Sequence, residues 1–271
     1  MTDTEALVDE LRRKIHNCSA MAFIHRMRTR SAGLRIFVMN ALRLEDAFLT
    51  VDAKRVQLAS DDSDTISREA NLVVTYLLHN FVASAKTIVD HTRNFVAEFY
   101  ARTPVEAAYK AKVAADIASD KLCRFVHDLR NYMLHCGMPH MSVWSSIDSH
   151  NEAGAGVYLS LPTLREWSGW TALSKEFLQE QPRDTVNPDD IARGYSQKIV
   201  GFHRWFDECL TQYHKDELAE LEDLRARLTA LSQSSVRCVP ANLGRLARKD
   251  RFQRPAVAPA LLVSNAFVPR Y

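Results

Sequence analysis

Glycine and proline are scarce in this chain of 271 residues, at 8 and 9 respectively, and a chain so poor in breakers is not built of loops and tight turns. Its 46% hydrophobic and 25% charged residues fit a largely helical globular protein, long enough for a sizeable core. The five cysteines, Cys18, Cys123, Cys136, Cys209 and Cys238, are odd in number, dispersed and never spaced as C-x-x-C. That argues against a disulfide framework and a structural zinc site. No uninterrupted apolar run reaches about 18 residues, and the opening MTDTEALVDELRRK lacks the apolar centre of a signal peptide. The expectation is a cytoplasmic protein with no membrane partner. H-E-x-x-H, the P-loop, G-x-G-x-x-G and G-x-S-x-G are all absent, which leaves metalloprotease, nucleotide hydrolase, dehydrogenase and α/β-hydrolase readings without support. No metal and no cofactor is expected.

Charge is also nearly balanced. A formal net charge of +2 does not by itself imply a nucleic-acid partner, but its distribution is uneven. Residues 236–271 carry seven Arg and Lys against Asp250, a net of +6, which leaves −4 for the rest. A basic, extended, Pro-containing tail suits contact with phosphate or an acidic protein surface, or simply keeps the chain in solution.

What is present is helical periodicity. Residues 4–30 read as a first helix ringed by Arg12, Arg13, Lys14, Arg26, Arg28 and Arg30, with Ser31 and Gly33 as punctuation before a second helix to about Leu58. The basic set reads as a solvated face or an RNA contact. ASDDSDTISRE reads as a polar loop, with Asp64 or Thr65 capping the next helix. Its acids, Asp61, Asp62 and Asp64, read as solvated rather than as a cation site. Residues 67–100 are apolar nearly all round, the pattern of a helix surrounded by other helices. One side differs: Asn80, Ser84, Thr87, His91 and Asn94 form a polar stripe about four turns long. Thr103 and Pro104 predict the cap and first turn of a helix over 105–136, antiparallel to its predecessor.

Beyond Pro139 the period changes to two, and MSVWSSID and GVYLSL flank a turn-rich SHNEAGA, predicting a small projecting β-hairpin at about 141–161. Pro162 and Thr163 restart a helix through LREWSGWTALSKEFLQE. Asn187, Pro188, Asp189 and Asp190 predict the start of a last long helix to about Gln233. Phe202, Trp205 and Phe206 there have the spacing of core residues. Leucines in ELAELEDLRARLTAL suit packing on another helix, own or partner's. The chain thus reads as one helical domain over 1–235 followed by the tail at 236–271.

The segment of chemical interest is KLCRFVHDLRNYMLHCGMPH, residues 121–140. Leu122, Phe125, Val126, Leu129, Met133 and Cys136 recur on one helix face, and Gly137 with Pro139 ends it. Asn131 and His135 lie one turn apart on the opposite side with Asp128 beside them, and Arg130 sits at the edge of the apolar stripe. By composition alone such a back is a solvated face. The order Arg130-Asn131-x-x-x-His135 at the end of an apolar helix, however, resembles the signature of the HEPN superfamily. Ribonuclease members of that family carry an Arg, a polar residue directly after it, and a His four to six positions beyond the Arg.

The resemblance implies a mainly α, HEPN-like antiparallel helical bundle, with its core at about 67–137 and 188–234 and the β-hairpin as an insertion. It implies a metal-independent endoribonuclease of the toxin or phage-defence kind, leaving a 2′,3′-cyclic phosphate, acting as a homodimer and open to restraint by an antitoxin or accessory protein. His135 would act as base, Arg130 would stabilise the pentavalent phosphate, and Asn131 would orient one or the other. Those residue types suit the task, since histidine titrates near neutrality and a guanidinium matches two phosphate oxygens. Asn80, Thr87, His91 and Arg93 are the candidates for substrate binding, if the polar stripe faces the back of the 121–136 helix across one cleft. The alternative is a non-catalytic HEPN-like binding or assembly module. On a regular helix Arg130 and His135 point roughly 140° apart, so either the helix distorts at its end or two copies meet across a two-fold axis.

Overall fold

The computed structural model describes residues 3–54, 58, 63–147 and 153–237. Among them the chain is mainly helical, with nine α-helices, one π-helical turn and a three-stranded antiparallel sheet. Helix α1 spans Asp3–Asn17, α2 Ser19–Ala53, α3 Ser63–Phe99, α4 Pro104–Val113 and α5 Lys121–His135. Strands β1, Met141–Ile147, and β2, Ala153–Ser160, follow; then come α6 Leu161–Arg165, α7 Ala172–Gln179, β3 Thr185–Val186, α8 Pro188–Tyr213 and α9 Lys215–Arg237. Helices α2 and α3 form the longest pairing, with α5 and α8 closing the bundle around Phe37, Phe81, Phe125, Leu129, Tyr195 and Phe206. Tyr195 is its centre, meeting Phe37 and Phe81 edge-on at 5.9 and 6.0 Å, the geometry that ring quadrupoles favour.

The first break falls at Cys18, and α2 runs straight through Ser31 and Gly33. The serine hydroxyl donates to the Met27 carbonyl at 2.7 Å, so a residue that suits turns is satisfied inside the helix. Helix α3 begins at Ser63, so Asp64 and Thr65 lie in its first turn rather than capping it; Asp61 and Asp62 lie outside the described residues. The predicted 105–136 helix is two helices. Val113 leads into a π-helical turn at Ala114–Ala118, and Asp120 starts α5 afresh by accepting from the Cys123 amide at 2.9 Å. At the start of α4, Thr103 accepts from Glu106 N while Glu106 accepts from Arg102 N at 2.6 Å, a reciprocal cap. Asn187 caps α8 through the Asp189 amide at 2.9 Å.

The hairpin is not a projection at its base. Met141, Val157 and Leu159 are buried, β3 adds to it at Leu159, and the Asn71 amide of α3 donates to the Met141 carbonyl at 3.0 Å. The last long helix breaks at His214, and α9 lies on α1 of its own chain. Its leucine face is therefore occupied within the chain. Residues 238–271, nearly all of the basic tail, lie outside the described residues. Helix Asp64–Phe99 has the length and apolar content of a membrane span; in the fold α2, α5 and β1 pack on it and Val74, Leu78, Phe81, Val82, Ala85 and Ile88 are buried, while Leu72, Val73 and Tyr76 stay exposed.

Asp128 is turned inward. Only 4% exposed, its Oδ2 accepts from Thr171 N at 3.1 Å, Thr171 Oγ1 at 2.7 Å and Ser174 Oγ at 2.7 Å, fixing the start of α7 to α5. Asp128→Ala strands three donors and is expected to lower stability by about 2–3 kcal/mol, with Asp128→Asn losing less. A urea midpoint unchanged in the alanine variant would mean that α7 is held by its aromatic contacts alone.

Candidate functional site

Helix α5 is regular through the whole motif, because the Cys136 amide still closes a normal turn on the Tyr132 carbonyl at 2.8 Å. The distortion comes after His135, at Gly137, whose φ of 116° is the left-handed conformation that favours glycine. Arg130 and His135 therefore keep their divergent directions. Arg130 is half-buried, while Asn131 and His135 are exposed. Among the described residues none of the three makes a hydrogen bond or an ion pair. Their neighbours behave differently: Arg124 reaches toward Asp128 at 3.9 Å and His127 bonds the Tyr195 hydroxyl at 3.1 Å. Around the free triplet stand exposed Leu134 and Met138, 56% and 50% accessible, and the free thiol of Cys136.

The polar stripe of α3 meets a different neighbour from the one expected. Lys86 and Asp90, with Arg124 and Asp128 of α5, act electrostatically on His127, so they mark the side of α3 that faces α5. His91 stands against α2, its Nδ1 3.6 Å from where a Cβ on Gly33 would lie. The helices run antiparallel, since Lys86 and Asp90 lie by His127 while Asn71 and Thr75 reach Met141. That register carries His91 to the start of α5, about 20 Å along the axis from His135 at 1.5 Å per residue. Asn80 and Thr87 are exposed on the outer face of α3, with the Thr87 hydroxyl bonded to the Ala83 carbonyl at 2.9 Å, and Arg93 pairs with Asp90 at 3.1 Å. The structure brings none of these four into contact with the motif. His140 is exposed, and no group of three metal-ligating side chains occurs among the described residues.

Two polar clusters join residues that lie far apart in the sequence. Arg30, one of the basic set assigned to a solvated face, is 9% exposed, pairs with Asp207, and donates to His203 Nδ1 at 2.7 Å; its guanidinium lies 4.8 Å over the Phe206 ring. A signal for its burial was present, because Phe23, Met27, Arg30, Leu34 and Phe37 follow one helical stripe. One end away, Glu217 bonds His214 Nδ1 at 2.7 Å and His214 Nε2 bonds the Tyr100 hydroxyl at 3.0 Å. This carboxylate, imidazole and hydroxyl series has the order of a nucleophile relay, but Tyr100 is 1% exposed and no substrate reaches its oxygen. It is a structural latch at the α8–α9 break.

Burial, reinforced by Arg124 and Lys86, lowers His127 to about 4; burial and then Arg30 lower His203 to about 3. Both are neutral imidazoles at neutral pH. A lowered folded value means that the unfolded chain binds the proton more readily, so stability is full above about 6.5 and falls as pH drops toward 4, by up to about 1.4 kcal/mol per pH unit for each group. Urea midpoints at pH 7 and pH 5 measure it, and His203→Gln is expected to flatten the slope. Comparison with protein-family models, with curated proteins and with solved structures returns no match to this chain.

Proposed function

We propose that the chain is a metal-independent endoribonuclease of HEPN type, of the kind used in toxin and phage-defence systems, working as a homodimer. The observation that carries this reading is the unengaged triplet Arg130, Asn131 and His135 on an exposed helix end, in a fold where the neighbouring Arg124 and His127 are both engaged. Free donors at a surface are available to phosphate. The divergence of Arg130 and His135 along a regular helix supports a composite site, in which Arg130 of one copy and His135 of another meet one phosphate. Exposed Leu134 and Met138 beside the motif suit burial in such a contact.

The chemistry balances without a metal. A base takes the proton of a 2′-hydroxyl, the 2′-oxygen bonds to phosphorus, the bond to the 5′-oxygen breaks, and an acid returns a proton to that oxygen. The guanidinium stabilises charge on the pentavalent phosphate. The test is incubation of the purified full chain with mixed-sequence single-stranded RNA in EDTA. The expected products carry 2′,3′-cyclic phosphate and 5′-hydroxyl ends. Intact RNA from wild-type chain that still binds a partner would favour a non-catalytic HEPN-like module instead.

A further inference from the structure

We infer that His79 on α3 is the second imidazole of the site that Arg130 serves; this rests on the ribonuclease reading. Transesterification of RNA needs both a base and an acid, and the motif contains a single histidine. Arg130 and His135 diverge, and His127, three residues before Arg130, is bonded to Tyr195, so an unengaged imidazole near Arg130 within one copy has to come from another helix. The register of α3 against α5 locates it.

Helices α3 and α5 pack together, and Lys86 and Asp90 are near enough to His127 for their charges to act on it. Seven residues are about two turns of helix and restore nearly the same direction. His79 lies seven residues before Lys86, and Leu134 lies seven after His127, so in antiparallel helices His79 stands to Leu134 as Lys86 stands to His127. The same side of α3 continues past that level to β1, where Asn71 and Thr75 reach Met141 beyond the end of α5. Arg130 lies three residues after His127 and four before Leu134, between the two levels on the side toward α3, which accounts for its being half-buried while Asn131 and His135 are exposed. His79 is itself half-buried, and among the described residues it makes no hydrogen bond or ion pair. Asn131 is exposed one turn beyond His127, and His127 itself is engaged with Tyr195.

Sequence periodicity pointed to His91 because it shares a stripe with Asn80 and Thr87. That stripe lies on the α2 side and the outer face. The shoulder bordering α5 is the row Asn71, Thr75, His79, Lys86 and Asp90 instead. In the composite site His79 accompanies Arg130 on one copy, and His135 arrives from the other, giving two imidazoles on opposite sides of the scissile phosphate.

The experiment compares wild type, His79→Ala, His79→Gln, His91→Ala and His135→Ala in RNA cleavage, with thermal melts to establish that each variant folds. Cleavage is expected to fall about 100-fold or more in both His79 variants and in His135→Ala, and to be unchanged in His91→Ala. Activity of a His79 variant within about threefold of wild type, with His135→Ala inactive, overturns the assignment of His79 and leaves the ribonuclease reading standing. If wild type cuts no RNA the ribonuclease reading fails, and the shared site is read from imidazole NMR signals during titration with a mixed-sequence 2′-deoxyoligonucleotide. Movement of the His79 signal that Arg130→Ala abolishes supports the pairing; a His79 signal that stays fixed overturns it.

Discussion

His135→Ala is expected to reduce RNA cleavage by about 10²–10⁴-fold, the usual contribution of a positioned proton-transfer group, with no measurable loss of stability. The two halves of that expectation come from the same fact. His135 is exposed and makes no hydrogen bond or ion pair among the described residues, so its removal leaves no buried group stranded and opens no cavity. Arg130→Ala is expected to lose similar activity by a different route, since it removes charge at the phosphate rather than a proton acceptor. Complementation separates a composite site from one contained in a single chain. When the two inactive variants are mixed and allowed to exchange subunits, half of the dimers pair one of each, and each such dimer rebuilds one intact site, so about a quarter of wild-type activity returns. A mixture as inactive as its components would place Arg130 and His135 in the same copy, against the divergence seen on the regular helix α5.

Local chemistry was legible in the sequence, and long-range chemistry was not. Thr103 with Pro104, Asn187 with Pro188, and the change to period two after Pro139 each specify an element within four or five residues, and each is found where the residues place it. Helix breaks were less visible. Cys18 and His214 carry no turn signal; His214 is held instead by Tyr100 and Glu217, one of them more than a hundred positions away. Asp128 looked like one more polar residue beside Asn131 and His135, because only the fold brings Thr171 and Ser174 to it. The stripe through His91 was a true periodicity, but a wheel gives the angle of a face and not its neighbour. Gly33 on α2 decides the neighbour of His91, just as Lys86 and Asp90 decide which side of α3 meets α5. The triplet could be read as a unit because it lies within six residues of one helix; His79, proposed above to accompany it, lies on another helix, in a register that only packing sets.

A large effect on stability is also expected at Arg30, and two substitutions there separate its parts. Arg30→Ala removes a side chain that is nearly all buried, leaving a cavity between α2 and α8, His203 without its donor, and Asp207 without its cation. Breaking a buried pair in this way costs about 3–5 kcal/mol when the abandoned charge stays buried. Asp207 keeps 37% of its side chain in solvent and can rehydrate, so about 2–3 kcal/mol is the better expectation. Arg30→Met fills most of the volume, keeps contact with Phe95 and Phe206, and removes a guanidinium whose Nε has no partner; it is expected to lose about 1 kcal/mol or less. Both variants remove a cation that helps to hold His203 neutral. Its folded value then moves up toward 6.5, though burial, the larger cause, still keeps it low. The acid loss of stability attributable to His203 is therefore expected to become shallower in both variants while the starting stability differs between them. Equal urea midpoints for the alanine and methionine variants would mean that the charge pair, and not the packing of the arginine stem against two aromatic rings, holds α2 to α8.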